Sequence, residues 1–167
     1  MGHDAAGAEL AAAVLGRLRA SQRLSTHVAA LVRHHLRLGF LVHEMPLGRR
    51  AIYRYLRATD PVQVDVTVLS VADRLATRGD GSEAAIARHL ELSRQLLGEA
   101  LSWRADRPAP PVRGTELARA LRLRPGPDMG WMLAELEEAS FAGEIASREE
   151  AIERARELMS SRDGGDR

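Results

Sequence analysis

The sequence predicts an all-α fold, and three observations carry that expectation. Ala, Leu, Arg and Glu dominate the 167 residues, and all are good helix formers. Aromatic content is 4% against 45% hydrophobic, so the core is built from Leu, Val and Ala, which suits helices. Apolar residues recur at helical spacing between Gly and Pro breaks. A chain of this length buries a real core, as one domain or two small ones. About seven or eight helices are expected.

The first helix is predicted from about His3 to Arg19, with Leu10, Val14, Leu15 and Leu18 apolar. Ser21 or Ser25 starts the second, which carries Leu24, Val28, Leu31, Val32 and His35. Leu38 to Leu47 is expected as a mostly apolar loop, broken by Gly39 and Pro46. A basic helix then follows Gly48. After Asp60-Pro61 the signals conflict. Val62, Val64, Val66 and Val68 alternate like a strand, whereas Val68, Leu69, Ala72, Leu75 and Ala76 recur like a helix. No second strong strand exists to pair with the first, so a helix is predicted. Gly79-Asp80-Gly81 ends it. Ser82 caps a long helix through Trp103, with Ile86, Leu90, Leu97 and Leu101 inward. Ser93 falls on that face, where its hydroxyl can bond back to the preceding turn.

The three prolines of residues 106–112 make an extended linker, separating a region 1–105 from a helical tail 113–160. Residues 161–167 are polar and expected to be a disordered end. Within the tail, Thr115 can cap a short helix carrying Leu117, Leu121 and Leu123. Pro125 and Pro127 stop it, and Pro127 sits well in the first turn of the next helix. Met129, Met132, Leu133, Leu136 and Phe141 form that helix's stripe, and Gly143 ends it. Ser147 and Glu150 make a capping box for a last helix holding Ala151, Ile152, Ala155 and Leu158.

The absence of cysteine excludes disulfides, thiolate catalysis and cysteine zinc sites. No apolar run has the length of a membrane span, and no signal peptide is read, so no membrane partner and a cytoplasmic location are expected. Net charge is only +1 but unevenly placed. Residues 10–60 carry nine Arg against Glu44 and Asp60, whereas residues 125–167 carry five Arg against eleven acids. Every basic residue other than His is Arg, whose planar guanidinium suits phosphate contacts. The candidate RNA-binding set is Arg49, Arg50, Arg54 and Arg57, with Tyr53 and Tyr55 interleaved, extended by Arg33 and Arg37. The alternative is a solvated, salt-bridged face.

The tail reads Gly114-Thr115-Glu116-Leu117, then Pro125-Gly126-Pro127-Asp128-Met129-Gly130, then Gly143 through Arg148-Glu149-Glu150-Ala151. Upstream stand Gly2-His3 to Gly7-Ala8, Val32-Arg33-His34-His35 and Ala72-Asp73-Arg74. In this order the motifs resemble the C-terminal part of the bacterial tRNA nucleotidyltransferase (CCA-adding enzyme) and poly(A) polymerase family. That part comprises an HD-like helical region and a helical RNA-binding tail. Glu116 stands where the family has Asp, and Arg122 where it often has Gly.

The resemblance implies a metal site at His3, His35 and Asp73, with His34 as the alternative to His35. It would hold a divalent ion such as Mg or Mn if completed; otherwise no cofactor is expected. Burial of His35 as a packed core residue is the competing reading. The family's upstream His-Asp pair is not found, nor is the nucleotidyltransferase head with its paired carboxylates and Gly-Ser loop. The expectation is a chain that binds tRNA or another RNA and is not catalytic by itself. The alternatives are an HD-type metal-dependent phosphohydrolase and a module docking on a separate catalytic head. His27, His43 and His89 have no partners at useful spacing and are expected to be exposed.

Overall fold

The computed structural model of the protein describes residues 3–77, 82–124 and 126–165. They form nine α-helices and one 3-10 turn, with no strand among them. The helices are α1 (His3–Arg17), α2 (Gln22–His34), α3 (Arg37–Leu41), α4 (Arg49–Ala58), α5 (Gln63–Ala76), α6 (Ser82–Ala105), α7 (Gly114–Leu121), α8 (Pro127–Ala142) and α9 (Arg148–Gly165); the 3-10 turn is Val42–Glu44. The all-α expectation is met. The predicted loop 38–47 is instead largely α3 and the 3-10 turn, because Leu38 is buried and pulls its turn into the core. The expected turn at residues 79–81 lies outside the described residues.

The chain divides into two compact units, Met1–Leu47 with Arg54–Asp106, and Gly48–Tyr53 with Arg107–Arg167. The division falls inside α4.

In the first unit α1 packs along α2, and α5 packs along α6. Ser21 caps α2, its hydroxyl accepting from the Leu24 N–H at 3.2 Å. Gly7 lets α1 approach α2 closely: a Cβ there would lie 3.2 Å from Val32 Cγ1. The core gathers Leu38, Tyr55, Leu56, Val62, Val66, Leu92 and Leu96.

The conflict at residue 62 resolves as a helix, but its inward face differs from the expected one. Val68, Leu69 and Leu75 are exposed, whereas Gln63, Val66, Thr67 and Ser70 are buried. The polar groups go inside because each finds a partner. Thr67 Oγ1 donates to Gln63 O at 2.7 Å and meets the Tyr55 hydroxyl at 2.7 Å. Gln63 Nε2 donates to Leu56 O and Asp60. A buried polar group is tolerated where its hydrogen bonds are made. The long helix α6 is likewise turned from expectation: His89, Leu92, Ser93, Leu96, Ala100 and Trp103 are inside and Leu101 is out. Ser93 does bond back one turn, donating to His89 O at 2.6 Å.

The second unit is centred on Leu117, Met132, Leu136, Ala151 and Ala155, with Leu121, Leu123 and Leu133 packed against them. Val112, from the Pro-rich stretch, is buried in the same core. The tail motifs are the joints of this unit. Arg113, not Thr115, is the N-cap of α7, because Glu116 reaches back to accept from the Arg113 N–H at 3.3 Å. Arg122 ends α7 in the left-handed region, at φ 54°. Pro127 opens α8, and Gly143 closes it at φ 78°, a conformation that favours glycine. Ser147 Oγ accepts from the Glu150 N–H at 3.1 Å, and Glu150 accepts from the Ala146 N–H at 2.7 Å.

Candidate functional site

Two places hold the chemistry-bearing residues. One is a cavity of about 200 Å³ in the first unit. Helix α5 supplies Ser70, Asp73 and Arg74 to its wall, and α6 supplies Arg88 and His89. His35, His43 and Thr77 complete its polar lining among the described residues. The structure therefore brings His35 and Asp73 to one cavity. His34 lines a different groove, with Ala12, Gly16, Ser25 and Arg33 among its neighbours. Partial burial and the adjacent Arg37 and Arg33 push the His34 imidazole below its ordinary pKa, against a smaller opposing pull from Asp4. The side chain of His3 lies outside the described residues.

His35 Nδ1 hydrogen-bonds the Val32 carbonyl within its own helical turn. Among the described residues, however, no three His, Asp or Glu side chains stand close enough to hold a metal ion. The nearby guanidinium charges of Arg74 and Arg88 oppose a cation there.

His89 was expected to be exposed and partnerless, and both expectations are corrected. Its ring is buried, with Nε2 3.1 Å from Ser70 Oγ. Burial pushes its pKa below the ordinary value, against a smaller raising effect from the Ser70 backbone, with Arg74 lowering it and Asp73 raising it. No sequence spacing announces this pair, since Ser70 and His89 come from different helices. His27 also has a neighbour, with Nε2 3.9 Å from Asp65 Oδ2. His43 is exposed as expected, at the cavity wall.

The second place is the arginine set. Arg33, Arg37, Arg49, Arg54 and Arg57 are exposed. Arg33, Arg37, Arg54 and Arg57 belong to the first unit, and Arg49 and Arg50 to the second. Arg50 is only partly exposed and is held by carboxylates. Its Nε and Nη2 donate to the two oxygens of Glu144 at 2.7 Å each, and Nη1 donates to Glu135 at 2.7 Å and Glu138 at 3.3 Å. The guanidinium of Arg49 lies 4.2 Å from the centre of the Phe141 ring, a cation–π contact. The interleaved tyrosines are buried rather than displayed. Tyr53 donates to Glu137 at 3.0 Å and lies 5.5 Å from Phe141, while Tyr55 meets Thr67. Neither ring face offers a platform for a nucleic-acid base.

Over 153 residues the chain is 33% identical to the CC-adding tRNA nucleotidyltransferase of Thermus thermophilus, covering 90% of this chain and 32% of that protein. Over 150 residues it is 31% identical to the A-adding tRNA nucleotidyltransferase of Deinococcus radiodurans, covering 90% and 33%. The chain is homologous to part of the tRNA nucleotidyltransferases. It spans about one third of the length of these relatives. The resemblance carried by the Pro-Gly-Pro, Arg-Glu-Glu-Ala and Ala-Asp-Arg motifs therefore has a counterpart across nearly the whole chain. No protein-family model matches it, and no solved structure does. In this tRNA nucleotidyltransferase homologue, no helix among the described residues is long and apolar enough to cross a membrane.

Proposed function

We propose that this chain is an RNA-binding portion of a tRNA nucleotidyltransferase-like protein. It holds tRNA through exposed arginines and does not transfer nucleotides by itself. The observation that carries this reading is the excess of arginine over acid in residues 10–60, with Arg33, Arg37, Arg54 and Arg57 at the surface of the first unit. Exposed guanidinium groups contact phosphates without reading sequence. Homology to two enzymes that act on tRNA supports the choice of RNA. The sequence has no paired-carboxylate and Gly-Ser signature for nucleotide transfer. The purified chain is expected to bind tRNA weakly and in a salt-sensitive way, without incorporating labelled ATP or CTP. Incorporation would overturn the non-catalytic half of the proposal, and failure to bind would overturn the other half.

A specific observation also favours a second reading, a module that docks on a separate catalytic head. Among the described residues, ten large apolar side chains are exposed, and nine of them lie in the first unit. Leu10 and Val14 on α1, and Leu18 just past its end, follow one another every four residues, at 66%, 41% and 72% exposure. A stripe of this kind, left in water, marks an interaction surface. Docking and RNA binding are compatible. A pull-down with a purified nucleotidyltransferase head, compared between the native chain and a Leu10→Gln/Leu18→Gln variant, separates them.

A further inference from the structure

We propose that the exposed face of α1 is an interface at which two copies of this chain pair antiparallel about a two-fold axis. Helix α1 is turned with its bulk outward. It lays small residues on α2, with Ala8 buried and Gly7 so close that a Cβ there would lie 3.2 Å from Val32 Cγ1. Its opposite side carries Ala6, Leu10, Ala13 and Val14, all exposed, and Leu18 continues the row just past the end of the helix. Steps of three and four residues keep these side chains on one face. A contiguous apolar row left in water marks a contact surface.

The charges beside that row select the partner. Glu9 and Arg17 are exposed, and neither forms a salt bridge among the described residues. Ala13 lies midway, four residues from each. With the two-fold axis at Ala13, antiparallel pairing brings Glu9 of each copy beside Arg17 of the other, so the attraction is made twice. Parallel pairing would set Glu9 against Glu9 and Arg17 against Arg17. The antiparallel arrangement also lays helix ends of opposite sign together. Ala13 is small enough for the two backbones to approach closely at the axis, with Leu10 and Val14 packing on either side of it. The aliphatic stem of Arg17 covers apolar surface while its guanidinium reaches the carboxylate. Charges placed evenly about a midpoint are self-complementary, and that symmetry fits a second copy rather than an unrelated protein. This inference goes beyond the docking reading, because the same leucines meet a second copy when no other protein covers them. It uses no arginine of the RNA-binding set.

The test is sedimentation equilibrium of the full chain, free of tRNA, up to about 100 µM, where a micromolar dimer predominates. The expected result is a dimer. Arg17→Glu sets two carboxylates against each other at both ends of the interface and should weaken the dimer about ten-fold or more. Glu9→Arg combined with Arg17→Glu reverses both partners and should recover the native affinity. Both positions are exposed, so the replacements leave the fold intact. Orientation is read with cysteine, which the native chain lacks. An added oxidant should join Ala13→Cys chains, whose cysteines meet at the axis, into a disulfide-linked dimer. Ala6→Cys chains should stay unjoined, because their cysteines lie about 20 Å apart in the antiparallel pair. A chain that remains monomeric at about 100 µM, a dimer indifferent to Arg17→Glu, or a disulfide formed through Ala6→Cys would overturn the proposal.

Discussion

Arg50 grips Glu144 through two parallel hydrogen bonds of 2.7 Å, tying the start of α4 to the turn before α9. Glu135 and Glu138 close on the same guanidinium from α8. This arrangement makes Arg50 a structural anchor of the second unit and leaves its neighbours on α4 as the phosphate candidates. Arg50→Met should destabilise the protein by about 2 kcal/mol, because it removes charge-assisted bonds to three carboxylates. Arg57→Met, at an exposed position, should stay within about 0.5 kcal/mol of the native chain. Urea unfolding followed by circular dichroism checks both.

The same pair sets an acid dependence. Glu144 is held below its ordinary carboxyl value of 4.5, chiefly by the hydrogen bonds from Arg50. A carboxylate whose folded pKa is depressed contributes stability above its unfolded pKa and loses it as pH falls through the folded one. That contribution is therefore intact at pH 7 and declines below pH 4.5. Glu144→Gln should be less stable than the native chain at neutral pH, and the gap should narrow in acid. Unfolding midpoints measured at pH 7 and in the acid range read the difference directly.

Arg122 occupies the left-handed region at the end of α7, where a side chain is unfavourable. Arg122→Gly relieves that strain but loosens the unfolded chain. The expected balance is a gain of up to about 1 kcal/mol. A rise in the thermal midpoint checks it, whereas a fall would show that the Arg122 side chain contributes more than its backbone costs.

The Leu10, Val14 and Leu18 stripe makes an opposite pair of demands. Leu10→Gln with Leu18→Gln should leave stability within about 0.5 kcal/mol, since both side chains already face water. The same variant should abolish any self-association of the native chain. Sedimentation velocity of the two proteins gives the answer.

Much of this architecture is written locally. Ser21, Pro127, Gly143 and the Ser147–Glu150 box each act within one turn of helix, and each sits where its chemistry demands. The inward faces of α5 and α6 were not legible. Hydrophobicity points Val68, Leu69 and Leu101 inward, but tertiary partners decide otherwise. Thr67 shares a hydrogen bond with Tyr55 and Ser70 shares one with His89, so polar residues are accommodated inside and apolar ones are left outside. The cavity lined by Arg74, Arg88 and His89 depends on that rotation and was hidden with it. The fate of Arg50 was half visible. Eleven acids in residues 125–167 promise a partner for some arginine, but which arginine follows only from the place of Arg50 beside Glu135 within the second unit.

RNA binding is tested most directly by the equilibrium affinity of the purified chain for tRNA between about 50 and 200 mM salt. The account predicts binding at the low end that falls steeply with salt, with the log–log slope reduced by about one for each of Arg33→Gln, Arg37→Gln and Arg57→Gln that removes a phosphate contact. No binding at about 50 mM salt, or a triple variant that binds tRNA like the native chain, would contradict it.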